Sequence, residues 1–128
     1  MDARIYKTKW FIRYCRRERI ADNSLCEAIK RAERGIVDAD LGSGIIKQRI
    51  PRSGQGRSGG YRVLIAYRTA DLAVFLYGFA KNESENIKDD ELTTLKEIAA
   101  GWLEADGKLF GRAIKEKYLQ EVNCDDQK

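Results

Sequence analysis

The stretch YRVLIAYRTADLAVFLYGFA, residues 61–80, decides the fold. Val63, Ile65 and Tyr67 alternate with Arg62, Leu64, Ala66 and Arg68, which is the period of a strand. Leu64 and Ala66 make the second face partly apolar as well, so both sides of this strand are expected to be covered. Thr69, Ala70 and Asp71 form a tight turn, and Leu72 to Ala80 reads as the next strand. Its unbroken apolar run Val74-Phe75-Leu76-Tyr77 marks it as central in a sheet. Upstream, IIKQRI (residues 45–50) is a third strand, ended by Pro51. Between it and Tyr61 lies Arg52 to Gly60, read as a nine-residue loop with four glycines.

Working outward, Ile5 to Phe11 is rich in β-formers and reads as an N-terminal strand. Trp10 to Arg19 then turns helical, with Phe11, Tyr14 and Cys15 on one face and arginines on the other. A second helix, Leu25 to Arg34, follows a cap at Asn23 or Ser24 and stops at Gly35. The break between the two is short, which predicts an antiparallel helical hairpin. Beyond the strands, Asp89 or Asp90 opens a helix whose Leu92, Leu95, Ile98, Ala99, Trp102 and Leu103 keep a 3.6 period. Gly107 breaks it. Leu109, Phe110, Ala113, Ile114 and Leu119 suggest one more short helix before a polar tail. Trp10, Trp102, Tyr77 and Phe75 are assigned to the core. The order of elements predicts an α+β fold: an N-terminal strand and helical hairpin packed on a mainly antiparallel sheet, with C-terminal helices. At 128 residues this is one domain, with residues 1–105 as its body and 106–128 as a helical extension and tail.

Composition narrows the function. The chain is 43% hydrophobic and 34% charged, as in globular domains. No apolar stretch is long enough to span a membrane, the N-terminus carries no secretory core, and the expected address is the cytoplasm. Histidine is absent, which removes the usual neutral-pH general base and the commonest metal ligand. Three cysteines without CxxC spacing argue against zinc and against a disulfide framework. No metal and no cofactor are expected. Chemistry, if any, falls to Lys, Arg, Asp, Glu, Tyr or Ser.

The net charge of +4 is unevenly spread. Leu41 to Ala70 carries six cations (Lys47, Arg49, Arg52, Arg57, Arg62, Arg68) and no carboxylate, whereas Asn82 to Lys128 has twelve acids against seven bases. An acid-free basic window of this kind suits a polyanion, most simply nucleic acid. The glycine loop lacks the GxxxxGK[ST] spacing of a phosphate loop, and a strand rather than a helix follows it. Its glycines still let backbone approach a phosphate chain, with Arg52 and Arg57 able to fork onto the oxygens. Lys47 and Arg49, two apart on a strand, share a face, and Arg62 could meet them from the next strand. Lys81 would emerge at the end of the third strand near the same face. Phe79 either offers a stacking surface for a base or belongs to the core.

Together the strings Ile46-Lys47-Gln48-Arg49, Ser58-Gly59-Gly60-Tyr61-Arg62 and Tyr77-Gly78-Phe79-Ala80-Lys81-Asn82-Glu83 resemble the RelE/HigB-like toxins of bacterial type II toxin–antitoxin systems. The resemblance covers roughly residues 3–105. It implies a ribosome-dependent mRNA endoribonuclease, an mRNA interferase that inhibits translation by metal-free attack of a ribose 2′-OH on the adjacent phosphate. It implies as partners the ribosome, mRNA and a cognate antitoxin, a small helix-turn-helix protein, with operator DNA reached only through the complex. Carried over, Lys47 and Arg49 match the family's basic strand positions, Arg62 its G-Y-R arginine, and Lys81 the basic position after the last strand. The RelE type also has a tyrosine after that strand. Here Ser84-Glu85-Asn86-Ile87-Lys88 holds none, leaving Phe79 and Lys88 as partial substitutes.

The expected catalytic set is therefore Lys47, Arg49, Arg62 and Lys81. The expected nucleic-acid contacts are Arg52, Arg57, Arg68, Phe79 and Lys88. A lysine crowded by guanidinium groups releases its proton more readily, which suits it to base duty. Two other readings stand beside this one: a ParE-like toxin that poisons DNA gyrase without cutting RNA, and a non-toxic nucleic-acid-binding protein. The basic cluster favours the nuclease, while the missing tyrosine favours the gyrase poison.

Overall fold

The structure is a computed structural model that describes residues 3–52, 56–81 and 87–124, without the side chains of residues 56–58. The elements are β1 (Arg4–Thr8), α1 (Lys9–Glu18), α2 (Asp22–Glu33), β2 (Ala39–Gly42), β3 (Ile45–Arg52), β4 (Gly56–Arg68), β5 (Leu72–Ala80), α3 (Asp89–Glu104), α4 (Gly107–Lys115) and β6 (Leu119–Glu121). The sheet runs β2-β3-β4-β5-β1-β6, antiparallel except where β1 lies parallel to β5. This is the α+β fold expected, with β5 in the interior of the sheet.

Each face of the sheet carries one helical pair. Phe11, Tyr14, Leu25, Ala28 and Ile29 of the hairpin pack on Ile46, Ile50, Val63, Ile65 and Phe75. On the other face Ala99 of α3 and Phe110 and Ala113 of α4 meet Ile45, Leu64, Ala66, Val74 and Leu76. The strand period sorts these side chains, odd positions of β4 to one layer and even positions to the other. Buried Lys7 reaches Asp22 at 3.0 Å and so ties β1 to the start of α2.

The helices begin and end on local signals. The Thr8 hydroxyl accepts from the N–H of Phe11 and starts α1 earlier than the β-rich stretch to Phe11 suggested. The Asp106 carboxylate accepts from Leu109 N–H and starts α4, while Gly35 adopts φ 83° just past α2. Helix α2 begins three residues before Leu25, its N-cap being Ala21 rather than Asn23 or Ser24.

Several expectations are corrected. The nine-residue loop contracts, because β3 runs through Pro51 to Arg52 and β4 starts at Gly56, extending the hairpin by main-chain pairing. Short β2 was missed because Ala39-Asp40-Leu41-Gly42 has little β-propensity; the turn at Gly42, Ser43 and Gly44, all at positive φ, folds it back onto β3. Leu119 is in a strand rather than a helix, since β6 pairs with the free edge of β1. That pairing carries the C-terminus across to α2, where Cys124 forms a disulfide with Cys26, against the expectation of no disulfide. A separation of 98 residues left no spacing motif to read. Trp10 is 43% exposed rather than core. No helix among the described residues is long and apolar enough to cross a membrane.

Candidate functional site

The register of the three middle strands builds the site. Arg49 lies directly opposite Arg62, and Arg62 directly opposite Phe79, so the three form one row across β3, β4 and β5. One pair along, Lys47, Leu64 and Tyr77 form a parallel row on the same face. Lys47 and Arg49 are thus about 7 Å apart along the strand, with Arg62 diagonal to the lysine. Lys81 lies one residue beyond β5, and its N–H donates to the Gly60 carbonyl at 3.0 Å. This holds the end of β5 to the strand that carries Arg62.

The opposite face holds this row still. Gln48, between Lys47 and Arg49, is buried under α2. Its amide donates to the carbonyls of Ala28 (2.9 Å) and Ile36 (3.1 Å), and its oxygen accepts from Asp38 N–H (3.0 Å). The guanidinium of Arg31 donates to the carbonyl of Arg49. A buried amide with its partners satisfied fixes β3 at the level of the basic side chains. Sequence reading missed both Gln48 and Arg31. A lone polar residue inside IIKQRI was the only signal.

Among the described residues, Lys47, Arg49, Arg62 and Lys81 have no ion-pair partner. Arg62 makes only a long contact, 3.4 Å, from Nη1 to the Tyr61 carbonyl. By contrast Arg68 bonds Asp71 at 2.6 Å, and Arg4 reaches the same carboxylate, whose pKa their hydrogen bonds lower. Cations facing each other without an acid repel, so an anion placed among them is favoured.

The other expected contacts are only partly brought here. Arg52 turns to the opposite face, its guanidinium 5.3 Å from the Tyr61 ring in the hairpin layer. Arg68 lies at the far end of β4, about 20 Å of strand from Arg62, and donates to the Leu103 carbonyl at 3.0 Å. Neither joins the row. The side chain of Arg57 lies outside the described residues, as do residues 82–86. Lys88 is exposed and caps α3 at the end near Tyr77. Phe79 is buried, with its ring 6.4 Å from that of Tyr77, so it supports the row more than it offers an open face. Tyr77, which the sequence assigned to the core, is half-buried, its ring tilted against that of Trp10 with centroids 4.7 Å apart. Burial, then the neighbouring Glu91, raises the pKa of its hydroxyl, which stays a neutral donor. The described residues hold no cluster of three or more His, Cys, Asp or Glu side chains able to bind a metal.

Residues 3–122 match the family model described as the RelE toxin of the RelE/RelB toxin–antitoxin system. The chain belongs to the RelE toxin family. The match takes in every strand of the sheet and so includes the row and the glycine-rich hairpin beside it. No curated protein matches the chain. Membership makes the protein a toxin-type component of a toxin–antitoxin system and implies a cognate antitoxin as its partner.

Proposed function

We propose that this RelE-family toxin is a ribosome-dependent mRNA endoribonuclease that halts translation. The supporting observation is the Arg49–Arg62–Phe79 row with Lys47 beside it, a set of cations on one rigid face that no described acid neutralises. Attack of a ribose 2′-OH on the adjacent phosphate needs a proton acceptor, donors to a doubly anionic phosphorane, and a proton for the departing 5′-oxygen. Arg62 and Arg49 supply forked, permanently charged donors for the non-bridging oxygens. Lys47 and Lys81, on either side of that pair, are the groups for proton transfer. The ribosome contributes by holding the codon in line for attack, a positioning effect worth many powers of ten. Phe79 backs the row, and Lys88 extends its basic margin; Arg57, whose side chain lies outside the described residues, is proposed as a further phosphate contact.

The test is induction of the toxin without its antitoxin. Radioactive methionine incorporation should fall before thymidine incorporation, and primer extension should show new mRNA 5′ ends within codons. Cutting should require ribosomes and survive EDTA. Arg62→Ala should abolish the arrest and Arg62→Lys restore only part of it, since a point charge cannot fork across two oxygens. DNA synthesis failing first would instead identify a gyrase poison.

A further inference from the structure

Residues 117–124 form an arm that wraps around the edge strand β1. Lys117, at φ 68°, turns the chain out of α4, and the Lys9 N–H donates to the Tyr118 carbonyl at 3.0 Å. Leu119, Gln120 and Glu121 then pair with Thr8, Lys7 and Tyr6, and the Val122 N–H donates to the Ile5 carbonyl at 2.8 Å. Leu119 is buried with α4 in one layer, whereas Val122 is buried with α2 in the other. Beyond Val122 the Cys26–Cys124 bond fastens the arm to α2. The arm thus straps the α4 layer to the α2 layer across β1, and the bond is its last fastening among the described residues.

Such a strap depends on that fastening. A three-residue edge strand is marginal by itself, and here two buried side chains, Leu119 and Val122, anchor it. The covalent bond to α2 removes the conformations in which the end of the arm lifts away. Cys26 is only 4% exposed, but Cys124 is partly exposed, and an open concavity of about 290 Å³ is lined by both cysteines. A thiolate from solvent therefore has a path to the Cys124 sulfur. The third cysteine, Cys15, is buried and free. A toxin that acts on ribosomes does so where thiols are kept reduced, and disulfides there are chiefly transient or redox-sensing. We propose that Cys26 and Cys124 are a redox-sensing pair that locks the C-terminal arm under oxidising conditions and releases it under reducing ones. This rests on the ribosomal reading only for the compartment in which the pair operates.

Opening is thiol–disulfide exchange with a protein dithiol. One thiolate of the dithiol attacks Sγ of Cys124, the S–S bond breaks, and Cys26 leaves as a thiolate that takes up a proton. The second thiol attacks the mixed disulfide, which frees Cys124 as a thiol and leaves the reductant as a disulfide. Closing by hydrogen peroxide removes two electrons from the pair. One sulfur takes an oxygen to become a sulfenic acid with release of water, and the other sulfur displaces that oxygen as a second water. The consequence is a difference in lifetime. A protease must draw in an extended segment, so it cuts after Lys115 or Lys117 when the arm lifts, and its rate follows the population of the open form.

The experiment digests full-length toxin with trypsin under native conditions, either oxidised or treated with a thioredoxin-class dithiol. Cleavage after Lys115 and Lys117, read by mass spectrometry, should be at least about tenfold faster in the reduced protein and should precede any cut within β4 or β5. Cys124→Ser should be cut at the fast rate with or without the dithiol, and Cys15→Ser should keep the full dependence on it. In cells carrying toxin and antitoxin, alkylation trapping should find Cys26 and Cys124 as thiols during growth and bonded after a peroxide pulse. Equal cleavage of the two forms, a bond that the dithiol leaves intact, or the same state of the pair before and after the pulse would each overturn the proposal. None of these readouts involves RNA, so their failure and the failure of mRNA cleavage are separate results.

Discussion

Arg62→Gln should yield a toxin that is slightly more stable and nearly inactive. Glutamine keeps a methylene stem opposite Phe79 and removes the charge that Arg62 directs against Arg49 across the β3–β4 ladder. Side chains directly opposite in a sheet have Cβ atoms about 5 Å apart, and long guanidinium groups splay to roughly 7 Å. At that distance in water two like charges repel by about 0.6 kcal/mol, within the range of about 0.2–1 kcal/mol known for like-charged cross-strand pairs. The one contact given up, 3.4 Å to the Tyr61 carbonyl, is too long to offset this. The expected gain is thus about 0.5–1 kcal/mol, a rise in Tm of roughly 2–4 °C at low ionic strength. It should vanish near 0.5 M salt, where screening acts over only a few ångströms. Losing one fixed donor to the phosphorane costs on the order of 10²–10³ in rate. Thermal unfolding at two salt concentrations, beside cleavage of programmed ribosomes and growth after induction, measures both halves. A variant that cuts within about fivefold of the parent, or that unfolds more easily by more than about 1 kcal/mol, refutes the assignment of Arg62 as an unpaired, anion-seeking cation.

Three further outcomes follow from the packing. Gly60→Ala should destabilise the fold by about 1–3 kcal/mol and weaken toxicity, because its Cβ would overlap the Ile50 carbonyl group and press β3 away from the strand carrying Arg62; chemical denaturation and growth assays read it. Reductant or Cys26→Ser should lower the unfolding free energy by about 2–4 kcal/mol, since the bridge closes a 98-residue loop, while the Cys15→Ser variant should still lose stability on adding reductant. Stability should hold through neutral pH and decline above about pH 9. Burial pushes the Cys15 thiol from 9.0 up to about 11, and burial with the Glu33 hydrogen bond pushes Tyr67 from 10.0 up to about 12. Both hold their protons longer when folded, so their contribution is complete below the unfolded values and is lost as pH climbs through the folded ones. Denaturant midpoints from pH 7 to 11 check it, and a flat profile would contradict the burial of Cys15.

Local pattern was enough for the middle of the fold. Alternation in residues 61–68 and the apolar run of 74–77 identified two interior strands, because a strand covered on both faces reads as a short, near-continuous run rich in β-branched and aromatic residues. The period of two also puts Lys47 and Arg49 on one face of their strand. The strings around Gly60, Arg62 and Lys81 pointed to the family that the chain's match then confirmed. What local pattern could not supply was pairing. Whether Arg62 faced Arg49 depended on hairpin register, and a slip of one residue would have sent every side chain of β4 to the other face. The same alternation carried Arg52 to the hairpin layer and left Arg68 far down the strand, though both belong to the same basic window. Edge strand β6, the disulfide and the exposure of Trp10 arise from elements distant in sequence that meet only in the tertiary structure. Sequence alone therefore determined which residues could carry charge to an anion and which strands they rode on. Only the tertiary structure decided which of them share a surface, because register and edge pairing are set by contacts between segments and not within them.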